Sequence, residues 1–150
     1  MDQPADVRRR LRLPERFILF VGSIEPRKNL PTLLEAWAAL PDHPDLVIAG
    51  AWGWKYEAVQ RQIERLGEGV RLLGPVDPAD LPGLYNLATA LAHPAHYEGF
   101  GLTILEAMAC GTPVVSSNAA SLPEVAGDAA LLVDPADVEM LQDLVLAALH

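Results

Sequence analysis

At 150 residues the chain has the length of one domain, on the rule of roughly 100–200 residues for each, and can bury a core without staples. Its 51% hydrophobic content excludes a disordered chain, its net charge of −9 argues against nucleic acid as the main partner, and its single cysteine, Cys110, excludes an internal disulfide and fits a reducing cytoplasm. The polar start reads as no secretory signal, and no apolar run reaches the roughly 18 residues of a membrane span, so no transmembrane segment is expected.

Residues 1–16 read as a linker or N-terminal arm, and residues 17–150 as the folded domain. Arg8, Arg9, Arg10, Arg12 and Arg16 crowd the arm. A solvated face on a short helix explains them, with contact to a further domain or an anionic membrane surface as the alternative. Phe17 to Gly22 is a continuous apolar run, the pattern of a strand buried on both faces. A polar loop, Ser23 to Asn29, leads into a helix over 30–40 with Leu30, Leu33, Leu34 and Trp37 on one face. Leu46 to Gly50 is a second strand, Ala51 to Lys55 a tryptophan-rich loop, and 56–66 a helix ended by Gly67.

Val70 to Gly74 is the third strand. Asp77-Pro78 is a cap followed by the proline that a first helical position tolerates, and a short helix to Ala88 is expected. Thr89 to His93 is the fourth strand, 102–110 a helix, and Pro113 to Ser116 the fifth strand. Leu122 to Ala126 reads as a short helix, Ala130 to Val133 as the sixth strand, and a last helix runs from about Val138. Alternating strands and helices with short loops predict an α/β fold, a Rossmann-like parallel sheet of about six strands with helices on both faces. The ligand crevice of such a sheet lies at the carboxyl ends of its strands, so the loops after the first four strands should line one groove.

Those loops carry the residues that look chemical. Glu98 and Glu106 flank Gly99 and Gly101, whose missing side chains let a ligand approach the backbone. The helix beginning near Leu102 offers unpaired N–H groups and a partial positive charge to a phosphate. Glu106 sits about one turn inside it, with its side chain leaning back toward that end, where it could accept hydrogen bonds from a ribose diol. A surface loop residue and a solvated helix residue would explain either acid alone. Together they say more, because Glu106 has Leu105, Ala107, Met108 and Ala109 as neighbours, and a carboxylate in an apolar helix needs a partner or a ligand.

In the first loop, Arg27 offers a planar fork and Lys28 a mobile point charge for a diphosphate. An ordinary polar loop with Asn29 as helix cap would contain the same residues. Gly74-Pro75-Val76-Asp77 could line a flat base pocket, although a turn and a cap explain it fully. His93 and His96 flank Pro94 and could reach the groove. None of the four histidines shows metal-ligand spacing, and no Asp-x-Asp, Gly-x-Gly-x-x-Gly, Walker loop or Gly-x-Ser-x-Gly is present, so neither a metal nor a bound cofactor is expected.

The stretch from Tyr97 to Val115, with Glu98 and Glu106 in a Glu-x7-Glu arrangement, resembles the signature of glycosyltransferase group 1, the family-4 retaining enzymes. Val21-Gly-Ser-Ile-Glu-Pro-Arg-Lys-Asn-Leu30 resembles that family's phosphate-binding loop, and Ser121 to Asp134 its C-terminal stretch. The resemblance covers about Val7 to the end. It implies one half of a GT-B fold: the nucleotide-sugar-binding domain, paired in the full-length enzyme with an N-terminal acceptor-binding domain.

By position, the resemblance implies that Lys28 and Arg27 hold the diphosphate and that Glu106 binds ribose. Glu98 would contact the sugar or the departing phosphate, so Glu98 and Lys28 would be the catalytic pair. Gly99, Phe100, Gly101, Leu102 and Thr103 would cradle sugar and phosphate, with Val76 near the base. Many members carry an arginine after the glycine that ends the first strand, where this chain has Ser23.

The implied reaction is metal-independent transfer of a sugar from a nucleoside diphosphate to a hydroxyl, with retained configuration. The implied setting is the cytoplasm, with peripheral membrane contact left open. This chain alone is expected to transfer poorly. A non-catalytic nucleotide-sugar-binding module, or another GT-B enzyme such as a sugar-nucleotide epimerase, is the alternative.

Overall fold

The computed structural model describes residues 3–41, 44–96, 102–117, 131–134 and 137–149. Six strands form one sheet: β1 (Phe17–Val21), β2 (Asp45–Ala49), β3 (Val70–Gly74), β4 (Ala90–His93), β5 (Val114–Ser117) and β6 (Leu131–Val133). They pair in parallel in the order β3-β2-β1-β4-β5-β6, the order of the classic doubly wound fold. The chain runs outward from β1 to β3, then returns to the other side of β1. This reversal leaves the switch-point crevice between the carboxyl ends of β1 and β4.

Residues alternate between the sheet's two faces. Ile18, Phe20, Leu46, Ile48, Ala92 and Val115 pack beneath α2 (Leu30–Ala38), α3 (Glu57–Leu66) and the last helix, α6 (Val138–Leu149). Phe17, Leu19, Val47, Ala49, Leu91 and Val114 pack beneath α1 (Gln3–Leu11), α4 (Leu81–Leu87) and α5 (Leu102–Ala109). Phe17 to Phe20 are buried without exception, as a central strand covered on both faces requires.

The N-terminal segment forms α1, and α1 packs on α4. Its Val7 lies in the core, and Arg10 joins both carboxylate oxygens of Asp80 at 2.7 and 3.0 Å. Arg8 donates to the Pro14 carbonyl, and Arg9 and Arg10 also pair with Asp6, with the Arg9 side chain 73% exposed.

Local boundaries differ slightly from the sequence pattern. β5 starts one residue later than expected, at Val114, and the Asp77 cap opens a 3-10 turn, Pro78–Asp80, before α4. Asp77 accepts from the Ala79 N–H at 2.9 Å, so the cap itself is as expected. The helix expected over Leu122 to Ala126 lies outside the described residues. Among the described residues no helix is long and apolar enough to cross a membrane.

Candidate functional site

Three glycines end three neighbouring strands: Gly22 after β1, Gly50 after β2 and Gly74 in β3. The Gly22 N–H donates to the Ala49 carbonyl at 3.0 Å and the Gly50 N–H to the Gly74 carbonyl at 2.9 Å. The chain therefore stays zipped past the ends of the sheet, and the Ile24 N–H continues the zip to Ala51 at 2.9 Å. A Cβ on Gly50 would stand 1.8 Å from the Gly22 carbonyl oxygen, so only glycine fits there.

Two hollows adjoin this zip. One of about 260 Å³ is lined by Val21, Gly22, Ser23, Pro75, Val76 and Leu81 among others. The other, of about 530 Å³, is walled by Ile24, Trp52, Leu72 and Pro75. The sequence placed Val76 beside a groove but named no role for Trp52. Its signal was the cluster of Trp52, Trp54 and Tyr56 in one short loop, where the Trp52 and Tyr56 rings meet at 5.0 Å.

Lys28 ends a 3-10 turn, Pro26–Lys28. It is only 8% exposed, and its side chain lies over Gly22: a Cβ built there would stand 3.4 Å from Cε and 3.7 Å from Nζ. The ammonium thus lies close to Gly22, which is itself one of the residues lining the smaller hollow. Arg27 is exposed, and its Nε donates to Glu25. Ser23 donates to the other Glu25 oxygen at 2.9 Å. The Ser23 hydrogen bond, then Arg27 and Lys28, hold the Glu25 carboxyl below its ordinary value against the opposing effect of burial. The stabilisation from this carboxylate is present at neutral pH and is lost as pH falls through that lowered value. Ser23 therefore steadies an acid.

Asn29 has φ 60°, in the left-handed region, and its side chain makes no cap bond to α2. It is buried and works across the groove instead: Nδ2 donates to the Pro94 carbonyl at 2.8 Å, while Oδ1 accepts from Thr32 at 2.7 Å. The His96 N–H donates to the Arg27 carbonyl at 2.8 Å, and Ser117 Oγ donates to the Ala95 carbonyl at 2.6 Å. Residues 94–96 are in this way clamped between the β1 loop and β5. His93 is buried at the end of β4, and His96 is exposed.

On the far side of β4, α5 begins at Leu102, which is 59% exposed, with Thr103 half-buried after it. Glu106 is exposed, and its Oε2 accepts from the Tyr85 hydroxyl at 2.9 Å. The partner anticipated for this acid in an apolar helix is therefore a buried phenol 21 residues away, which local sequence could not name. Glu98, Gly99, Phe100 and Gly101 lie outside the described residues. Of the remaining candidates, Val76 lines the smaller hollow, and Lys28 lies over Gly22, which lines it too. Glu106 stands on the α4 side, and Arg27 faces solvent in its pair with Glu25.

The family model described as glycosyl transferases group 1 matches residues 3–150. The O-antigen chain mannosyltransferase B of Escherichia coli is 46% identical over 140 residues, covering 89% of this chain and 37% of that protein. A D-inositol 3-phosphate glycosyltransferase of Corynebacterium jeikeium is 41% identical over 145 residues, covering 87% of this chain and 35% of that protein. The chain therefore spans little more than a third of the length of these two relatives.

Among solved structures, sucrose-phosphate synthase from Thermosynechococcus elongatus superposes with a TM-score of 0.86 at 33% identity, covering 97% of this chain and 39% of that one. Anabaena HepE, crystallised with UDP-glucose, gives 0.87 at 25% identity, covering 99% of this chain and 43% of that one. The Rossmann-like α/β fold is thus that of one part of GT-B glycosyltransferases.

Proposed function

The chain belongs to the group 1 glycosyl transferases, and on that premise we propose that it is the donor-binding domain of a retaining enzyme that moves a sugar from a nucleoside diphosphate to a hydroxyl. The observation that carries this reading is Lys28, a largely buried ammonium lying over Gly22 at the β1–β4 switch point. A buried cation beside a side-chain-free backbone suits an anionic group that must come close. The HepE structure with UDP-glucose supports a nucleotide sugar as that ligand, and the mannosyl-transferring relative makes a mannose-bearing donor the first to try.

In the reaction, the bond between the anomeric carbon and the diphosphate breaks, and a bond to the acceptor oxygen forms on the same face. The acceptor hydroxyl's proton passes to the departing diphosphate oxygen, on which negative charge develops as the bond to the sugar breaks. Lys28 and the start of α5 stabilise that charge as it develops. Arg27 joins them by exchanging Glu25 for phosphate. Val76 and Leu81 border the base and ribose, Leu102 and Thr103 lie at the diphosphate end, and Glu106 takes the ribose hydroxyls. Glu98 and Gly99 to Gly101 complete the sugar end. The acceptor is held by a second domain, so transfer needs that domain as well. No metal is required, and chelators leave donor binding unchanged. The setting is the cytoplasm.

Calorimetric titration with GDP, UDP and ADP tests the reading, and at least one should bind. Lys28→Ala should weaken that diphosphate by roughly 10- to 100-fold, the worth of one charge-assisted hydrogen bond, and leave the matching free nucleoside nearly unchanged. Equal losses for both ligands would remove Lys28 from the phosphate site. Robust transfer by the purified 150-residue chain would show that the second domain is dispensable.

A further inference from the structure

We infer that Tyr85 is a positioning residue for the donor: its hydroxyl aims the Glu106 carboxylate at the ribose, and its backbone fixes the helix that carries Glu106. This rests on the reading of Glu106 as the ribose-binding acid. Tyr85 is 1% exposed, on α4, and is among the largest fully buried side chains. A buried phenol needs a hydrogen-bond partner, and this one donates to Glu106 Oε2 at 2.9 Å. At the other end of α5, Thr112 Oγ1 donates to the Tyr85 carbonyl at 2.6 Å. One residue of α4 therefore ties down both the middle and the exit of α5.

The direction of the bond matters. Burial first, and the contact with Glu106 next, push the Tyr85 phenol above its ordinary value, so it keeps its proton at neutral pH and donates. Glu106 Oε2 is thereby used, while Oε1 accepts no hydrogen bond among the described residues. A carboxylate with one oxygen pinned has its plane set, and its second oxygen can meet a diol without first losing rotational freedom. Leu81, one turn before Tyr85 on α4, lines the hollow shared by Gly22 and Val76. The Tyr85–Glu106 pair thus stands on the side of the sheet that carries that hollow.

The test pairs two variants with two ligands. Titrations use whichever of GDP, UDP and ADP binds best, together with its 2′,3′-dideoxy form, on the parent chain, Tyr85→Phe, Glu106→Gln and the double variant. Tyr85→Phe keeps the ring and the packing and removes only the hydroxyl. It should weaken the ribonucleotide about five- to tenfold and the dideoxy form less than about twofold. The effect should vanish in the Glu106→Gln background.

An equal loss for both ligands would assign Tyr85 a merely structural part and overturn the inference. So would unchanged ribonucleotide affinity in Tyr85→Phe while Glu106→Gln loses it, and that outcome leaves the reading of Glu106 standing. Should Glu106→Gln bind the ribonucleotide normally, the ribose reading falls and takes the positioning role with it. Binding by none of the three diphosphates overturns the donor site altogether. Should Tyr85→Phe fail to fold, Thr112→Val, which releases the Tyr85 carbonyl and leaves the phenol in place, supplies the comparison: a greater loss for the ribonucleotide than for the dideoxy form supports the inference, and an equal loss or no loss overturns it.

Discussion

The two ends of the same strands are finished in different ways. At the amino ends, side chains close the surface. Trp37 Nε1 donates to the Pro44 carbonyl at 2.7 Å, Arg71 donates to the Arg12 carbonyl and lies 3.5 Å from Asp45, and Thr89 Oγ1 accepts from the Phe17 N–H at 3.3 Å. At the carboxyl ends, side chains are withheld. Gly22, Gly50 and Gly74 let backbones touch, two hollows open beside them, and the polar groups present are pinned by their neighbours: Glu25 by Ser23 and Arg27, Glu106 by Tyr85, residues 94–96 by Asn29 and Ser117. One end is filled to be stable; the other is held open and rigid. A rigid opening costs a ligand little reorganisation, which is the property a binding edge needs.

If that contrast is right, substitutions at the two ends should differ in size and in kind. The largest effect is expected at Gly50. In Gly50→Ala the new methyl would meet backbone atoms of Gly22 at 1.8 and 2.6 Å, and neither can swing aside. A loss of about 3 kcal/mol is expected, read from the urea midpoint, with nucleotide binding lost as well. A midpoint equal to the parent's would mean that the two loops part easily and that the opening is not rigid.

Asn29 should rank next. Asn29→Ala loses the bonds to Pro94 and Thr32 and must also hold an alanine at φ 60°. Those bonds are worth about 1 kcal/mol each, and the left-handed conformation adds roughly 1–2 kcal/mol. Asn29→Gly keeps the conformation at little cost and should be more stable than Asn29→Ala by about 1 kcal/mol in the same denaturation series. Equal stabilities would sharpen the comparison differently, since the hydrogen bonds alone would then explain the clamp. The smallest effect belongs to the amino ends. Arg71→Ala removes a half-exposed pair and should cost under about 1 kcal/mol, with no change in nucleotide affinity. A loss there larger than at Asn29 would erase the contrast.

How much of this was legible in the sequence follows from the range of each interaction. The first strand was legible because a covered parallel strand is an unbroken apolar run: Phe17 to Val21 form it, one residue short of the expected Gly22. Val70 to Gly74 stands with its expected bounds although it is an edge strand that carries an exposed Arg71. The position of Lys28 after β1 was legible too, since strand ends fix loops. Its burial was not, because that depends on Gly22 folding back beneath it. Asn29 read as a helix cap, the usual use of asparagine before a helix; the left-handed backbone turns its side chain toward Pro94, 65 residues on. Tyr85 was invisible as a site residue, since within α4 it reads only as core. Its hydroxyl acquires meaning only when α5 is packed against it.

The strand order has a kinetic consequence. β1 meets β2 and β2 meets β3 across short spans, but β4 reaches β1 only after a long excursion: the Phe17–Thr89 contact closes 72 residues of chain. Closure over such a span carries an entropic debt that the β1–β2–β3 half does not incur. During synthesis that half can assemble while one side of β1, with its row of bare amides and carbonyls, still waits for its neighbour. The crevice between β1 and β4 is thus a seam joined late, and the nascent chain is most open to mispairing along the line where the finished protein would take its ligand.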